Sequence, residues 1–164
     1  CEYIASEDDA DCYACWQDPD TQRGYNHKSS ETFEEFSSGA IQSRFQATIV
    51  RQVDQACIGG IFLSSEDTSP DLAIMIYPSF RHMGYGPKAF ALGAKYCFEV
   101  LKLSRIFAGC YPDNEASLRM LHKCRFQPHP QGNLQEKHYL TGEDIMQLDF
   151  MLENHKTATE DKDA

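Results

Sequence analysis

The chain has 164 residues, of which 41% are hydrophobic and 24% charged, the balance of an ordinary soluble globular protein with enough length for one core of useful size. A formal charge of −10 argues against nucleic acid as a partner, because that binding depends on Lys and Arg neutralising phosphates. The longest apolar run, residues 56–63, is too short to span a bilayer.

Residues 1–5 have the pattern of a strand, without the basic and apolar segments of a signal peptide. Residue 1 is not Met, so we expect native sequence ahead of it. A helix is expected over about 6–17, capped by Ser6 and stopped by Asp18-Pro19, with a polar loop at 21–29. A second helix is expected from Ser30, with Phe33 and Phe36 on one face and Ser37-Ser38-Gly39 ending it. Cys12 and Cys15 have no second pair to complete a zinc site, so we expect them on two faces of a surface helix, and no metal. Seven cysteines, set mostly in apolar patterns, read as small hydrophobes of a reducing, cytoplasmic compartment.

Strand patterns follow at 45–51, 57–63 and 71–77, the last apolar on both faces except at its start and therefore central. It runs through Gly84 and Gly86 into an amphipathic helix whose inner face carries Phe90, Ala94, Cys97 and Leu101. A strand feeding a glycine turn and then a helix collects free backbone N–H groups and the positive end of a helix dipole, which suits a phosphate-bearing ligand. Residues 105–111 form a further strand, 114–123 a shorter helix, and two strands follow Phe126 around a turn at Gly132-Asn133, the last at about 144–152. Residues 1–154 are expected to form a single domain, and 155–164, charged and without apolar content, a disordered tail.

The glycine turn has neither the dinucleotide fingerprint nor the P-loop spacing. It reads Arg81-x-x-Gly84-x-Gly86, which resembles the acyl-CoA pyrophosphate loop, R/Q-x-x-G-x-G/A, of the GNAT superfamily of N-acyltransferases. Asn114, Ser117, Lys123 and Phe126 resemble the fixed positions of that family's N-x-x-[AS]…K-x-G-F segment, and Asp71-Leu72-Ala73-Ile74 its acidic-then-apolar strand opening. With Trp16-x-Asp18-Pro19 ahead of them, the likeness is closest to the branch holding the ribosomal-protein alanine N-acetyltransferases, and it covers nearly the whole chain.

The resemblance implies an α/β (α+β) fold: a mixed, mostly antiparallel seven-stranded sheet flanked by about four helices, splayed between the fourth and fifth strands. It implies transfer of an acetyl group from acetyl-CoA to a primary amine by direct attack, with no metal, no membrane and a homodimer as one assembly the family allows. Arg81, Met83, Gly84, Tyr85 and Gly86 are then expected to hold the pyrophosphate, the backbone of Ile76 and Tyr77 the pantetheine and the reacting carbonyl, and Asn114 the pantetheine arm. Ser117 would donate to the leaving thiolate, and Asp71 would act as base or orient a water that does. Read from the residues alone, Asn114 is also a plain N-cap, Ser117 a solvated helix serine, and Asp71 a turn residue after Ser69-Pro70.

Departures from the family pattern are His82 and Met83, where a glycine and a basic residue are common, Pro87, which lacks an N–H, and Arg125, in place of the glycine before Phe126. Leu121 stands in the segment where many members carry a tyrosine acid, which leaves a non-catalytic acyl-CoA-binding module as the alternative function. Nine acids between residues 7 and 35 (Glu7, Asp8, Asp9, Asp11, Asp18, Asp20, Glu31, Glu34, Glu35) face only Arg23 and Lys28, so the acceptor is expected to be cationic. Deprotonating an α-amine at pH 7 costs about 1 kcal/mol and a lysine about 4.6 kcal/mol, which favours a peptide N-terminus.

Overall fold

The computed structural model describes residues 5–38 and 43–154. The strand expected at 1–5, apart from Ala5, and the tail at 155–164 lie outside the described residues. Helix α1, Ala5–Trp16, ends where Asp18-Pro19 interrupts it, as expected, but it already contains Ser6, which therefore does not cap it. The polar loop expected at 21–29 is corrected: Pro19–Tyr25 is a second helix, α2. Asp18 caps it, accepting from the Thr21 N–H at 3.0 Å, so the pair that ends α1 also starts α2. Helix α3, Phe33–Ser38, begins later than Ser30 because Thr32 and Glu35 exchange side-chain-to-backbone bonds as a capping box.

Strands β1 (Ser43–Val50), β2 (Cys57–Ser64) and β3 (Leu72–Ile76) form an antiparallel three-stranded sheet. After helix α4 (Tyr85–Glu99), strand β4 (Arg105–Cys110) opens a second sheet. Helix α5 (Glu115–Lys123) leads to β5 (Gln127–Pro128), β6 (Leu134–Lys137) and β7 (Asp144–Glu153), and β7 pairs antiparallel with β4, β5 and β6. Among the described residues the strands form not one sheet but two, joined where Asp71 bridges Phe107 in the parallel sense and the Phe107 N–H donates to Pro70 O at 2.9 Å. Beyond that junction β3 and β4 separate into a cleft, which is the expected splay.

The main core lies between the sheets and α4 and α5, built from Leu63, Leu72, Phe90, Cys97, Ile106, Leu121 and Phe126. The predicted inner face of α4 holds, with Phe90, Ala94 and Cys97 buried. A second cluster joins α1 to the outer side of β3 through Cys12, Cys15, Met75 and Tyr77. Both cysteines are buried and neither is in a disulfide, and their shared burial corrects the expected places on two faces: residues three apart on a helix share a face. No helix among the described residues is long and apolar enough to cross a membrane.

Candidate active site

Strand β3 ends at the cleft with one edge uncovered. Its register pairs Gly59 with Ile76, and the Tyr77 N–H donates to Ile58 O at 2.9 Å. In an antiparallel ladder alternate residues turn their backbone groups outward, so Ile74 and Ile76 aim N–H and C=O away from β2 and into the cleft. The Tyr77 amide, expected at the pantetheine, is committed to the ladder, and the outward backbone groups of β3 belong to Ile76 and to Ile74, which the sequence reading passed over.

The two outward carbonyls are covered from within. The Tyr25 hydroxyl donates to Ile74 O at 2.6 Å, and Arg81 Nε donates to Ile76 O at 2.9 Å. Arg81 also bonds Asp18 Oδ2 at 2.7 Å and Thr21 Oγ1 at 2.6 Å, and its second terminal nitrogen lies 3.7 Å from Cys15 Sγ. The guanidinium expected to meet a pyrophosphate thus braces α2 against the strand edge. Burial pushes the Asp18 carboxyl up, but its bonds to Arg81 and Thr21 outweigh that and hold it below its usual value.

Helix α2 reaches the elements around the cleft. Besides Tyr25 on β3, Gly24 lies against Asn114, whose Nδ2 would stand 3.3 Å from a Cβ there. Asn26 closes the helix in the left-handed conformation, donates to Lys137 O at 2.9 Å and accepts from the Tyr139 N–H at 2.9 Å. A short helix read as a loop therefore forms one wall of the cleft. Sequence could have found it, because Asp at an N-cap followed by Pro at the first helical position is a start signal.

At the floor of the cleft lies Asp71. Burial, and then the charge of Asp149, push its carboxyl up to about 6, with the Gly109 N–H acting against them. Asp149 was not singled out from sequence; it is bonded by His129 Nδ1 at 2.7 Å. Further out, Tyr111 donates its hydroxyl to Glu136, which also accepts from Asn26 Nδ2 at 3.4 Å. The acids between residues 7 and 35 are partly spent on neighbours: Asp8 accepts from Thr48, Asp9 from Ser37 at 2.6 Å, and Asp20 pairs with Arg23.

The loop 81–86 leads into α4. Gly84 is its N-cap, with φ +79° and no capping side chain, and a Cβ there would meet nothing within 4 Å. The first N–H groups of α4 have no intrahelical acceptor and open onto that space. Met83 is exposed, and Arg51 reaches in from the end of β1, its guanidinium 5.1 Å over the Phe80 ring and in contact with the Tyr85 hydroxyl. Asn114 caps α5, its Oδ1 accepting from the Ser117 N–H at 3.1 Å. Leu121 is fully buried.

The family model described as Acetyltransferase (GNAT) domain matches residues 3–127. The chain belongs to the GNAT acetyltransferase family. It is 27% identical over 150 residues to the uncharacterized N-acetyltransferase YoaA of Bacillus subtilis (strain 168), covering 85% of this chain and 84% of that protein. Its fold is shared with spermidine N-acetyltransferase from Vibrio cholerae in complex with CoA and spermine, at TM-score 0.79, 16% identity and 92% coverage of both chains. It is also similar to the ribosomal-protein-S5-alanine acetyltransferase from Vibrio fischeri, at TM-score 0.59 and 19% identity, over 68% of this chain and 62% of that one. As a GNAT enzyme the chain is an acyl-CoA-dependent acyltransferase, and the open space at Gly84, at the start of α4, fits the phosphates of an acyl-CoA.

Proposed function

We propose that this enzyme acetylates the free α-amine of a cationic peptide or protein N-terminus, ahead of lysine side chains. Acetyl-CoA, when bound, supplies the thioester that the amine attacks. On this reading the N–H groups of residues 84–86 hold the pyrophosphate, the Ile76 backbone and Asn114 Nδ2 the pantetheine arm, and the Ile74 N–H polarises the reacting carbonyl. Ser117 donates to the departing thiolate, and Asp71 takes the proton of the incoming ammonium.

The observation that carries the reading is the position of Asp71 where β3 and β4 part, with its carboxyl pushed up to about 6. Moving a proton to such a group from an α-ammonium of pKa ~7.8 costs about 2.5 kcal/mol, and from a lysine of pKa ~10.4 about 6 kcal/mol. That gap separates the two acceptors by several hundredfold in reactive amine. The acids around the cleft, Asp71, Asp149 and Glu136, support a cationic molecule over an anionic one.

The deciding experiment is an acceptor panel with acetyl-CoA, read by thiol release: basic peptides with free N-termini, the same peptides N-blocked but carrying lysine, polyamines, and anionic amines. The free N-terminal peptides should give the highest kcat/KM. Preference for N-blocked lysine peptides or for polyamines would defeat the α-amine assignment, and preference for anionic amines the cationic one.

A further inference from the structure

We propose that Asp149, clamped by His129, is a positioning residue that sets the proton affinity of Asp71. This rests on the reading of Asp71 as the base. Gly109 of β4 connects the two acids, for it lies opposite Asp149 in the β4–β7 ladder and presents its N–H to the Asp71 carboxyl. The Asp149 side chain is only 16% exposed, and a poorly hydrated carboxylate on the strand next to Gly109 raises the proton affinity of Asp71.

The surroundings of Asp149 are built for holding a carboxylate. His129 Nδ1 meets Oδ2 at 2.7 Å, the His129 N–H donates to Asp149 O at 2.8 Å, and the Asp149 N–H donates to Asn133 Oδ1 at 2.9 Å. Gly132 closes this loop by donating to His129 O at 2.9 Å. A Cβ on Gly132 would stand 2.0 Å from Asp149 Oδ2 and 2.8 Å from His129 Nδ1, so the clamp closes only around a residue without a side chain. The His129 ring also packs on Phe107, 5.4 Å between centroids, and Phe107 forms the β3–β4 junction. The pair is therefore fixed to the same hinge as Asp71.

The groups that face Asp71 are Asp149 from β7, the Gly109 N–H from β4 and the Tyr25 hydroxyl from α2. Glu136 on β6 is turned toward Tyr111 and Asn26. Asp149 is thus the full charge acting on the base. In the reaction an ammonium N–H bond breaks, an O–H bond forms on Asp71, and the freed nitrogen pair attacks the thioester carbon; the carbon–sulfur bond then breaks, and the nitrogen's second proton passes to the departing thiolate by way of the Ser117 hydroxyl. Asp71 then returns the proton to water. Asp149 exchanges no proton; its charge brings Asp71 closer to the α-ammonium.

The test uses the full chain, with the Asp71 carboxyl followed by carbon NMR and kcat/KM for a free N-terminal peptide followed against pH. Asp149→Asn should lower the Asp71 midpoint by about half a unit to one unit, and the acidic limb of the profile with it, leaving acetyl-CoA affinity unchanged. His129→Ala should also move the midpoint, and His129→Asn, whose amide can donate to Oδ2, should restore it. An unmoved Asp71 midpoint in Asp149→Asn overturns the proposal. Should that variant not fold, equal midpoints in His129→Ala and His129→Asn overturn it instead. If Asp71→Asn keeps the wild-type acidic limb, the base assignment fails, while the NMR midpoint still decides whether Asp149 tunes Asp71.

Discussion

Asp18 and Arg81 form an ion pair at 2.7 Å that ties the start of α2 to the strand edge at Ile76, with both side chains 22% exposed. Replacing Asp18 by Asn removes one charge from a half-buried pair and weakens a cap, which should cost about 1–3 kcal/mol in urea unfolding. Its folded pKa lies below the ordinary 3.8, so the stability it adds is present above 3.8 and fades as the pH falls further. The wild type should therefore lose more stability than Asp18→Asn on acidification below about pH 4. Because α2 walls the cleft, the variant should also raise KM for the amine more than KM for acetyl-CoA.

Asp71 acts in the opposite sense. With its carboxyl raised from 3.8 to about 6, its contribution is most favourable below 3.8 and is lost as the pH rises through about 6. Asp71→Asn should therefore be more stable than wild type at pH 7.5 by up to about 3 kcal/mol, with the difference closing toward pH 4. The same substitution should lower turnover by about 10²–10⁴-fold. Denaturant curves at several pH values together with steady-state rates check both halves; a variant that is both less stable and fully active would remove Asp71 from the mechanism.

The two glycines of the loop should respond differently. At Gly84 φ is +79°, so any side chain is strained, and Gly84→Val mixes a folding cost of about 1–2 kcal/mol with any ligand effect. A Cβ at Gly86 would make ordinary contacts with Met120 and Ile76 at 3.7 and 3.9 Å, so Gly86→Ala should fold like wild type. Gly86→Val then places its methyl groups at the helix start, and calorimetry should show acetyl-CoA affinity reduced at least about tenfold with melting temperature nearly unchanged.

Arg125 occupies the left-handed turn after α5, φ 65°, where its N–H donates to His122 O and the Phe126 N–H to Leu121 O. The resemblance expects glycine at this place, and the structure keeps the turn with a residue that strains it. Arg125 is exposed, so Arg125→Gly should relieve the strain and raise stability by about 1 kcal/mol without altering kinetics. Differential scanning calorimetry checks this, and a lower melting temperature would show that the arginine side chain is used.

The acetyltransferase fold was legible in local patterns. The glycines at 84 and 86, the i+4 and i+3 spacing of Phe90, Ala94 and Cys97, and the cap at Asn114 are properties of short stretches, and short stretches suffice to specify a helix, its start and its buried face. The same is true of Asp71, whose place at the head of a strand is visible without knowing what lies opposite. Helix α2 was also written locally, in Asp18-Pro19, but the pair was read as a stop alone.

What only the tertiary structure decided is which partners each side chain meets. Arg81 is positive in any reading of the sequence, yet its partners are Asp18, 63 positions away, and the carbonyl of Ile76. Tyr25 finds Ile74 across 49 positions, and Asp149 reaches Asp71 because β7 pairs with β4 in a register that sets it opposite Gly109. Hydrogen bonds and charges act over a few ångströms, and nothing in a local pattern records which distant segment the core will press to within that range. The sequence thus determined a family and placed a glycine turn and an acid at the head of a strand, while the pairing of the strands decided the environment of that acid.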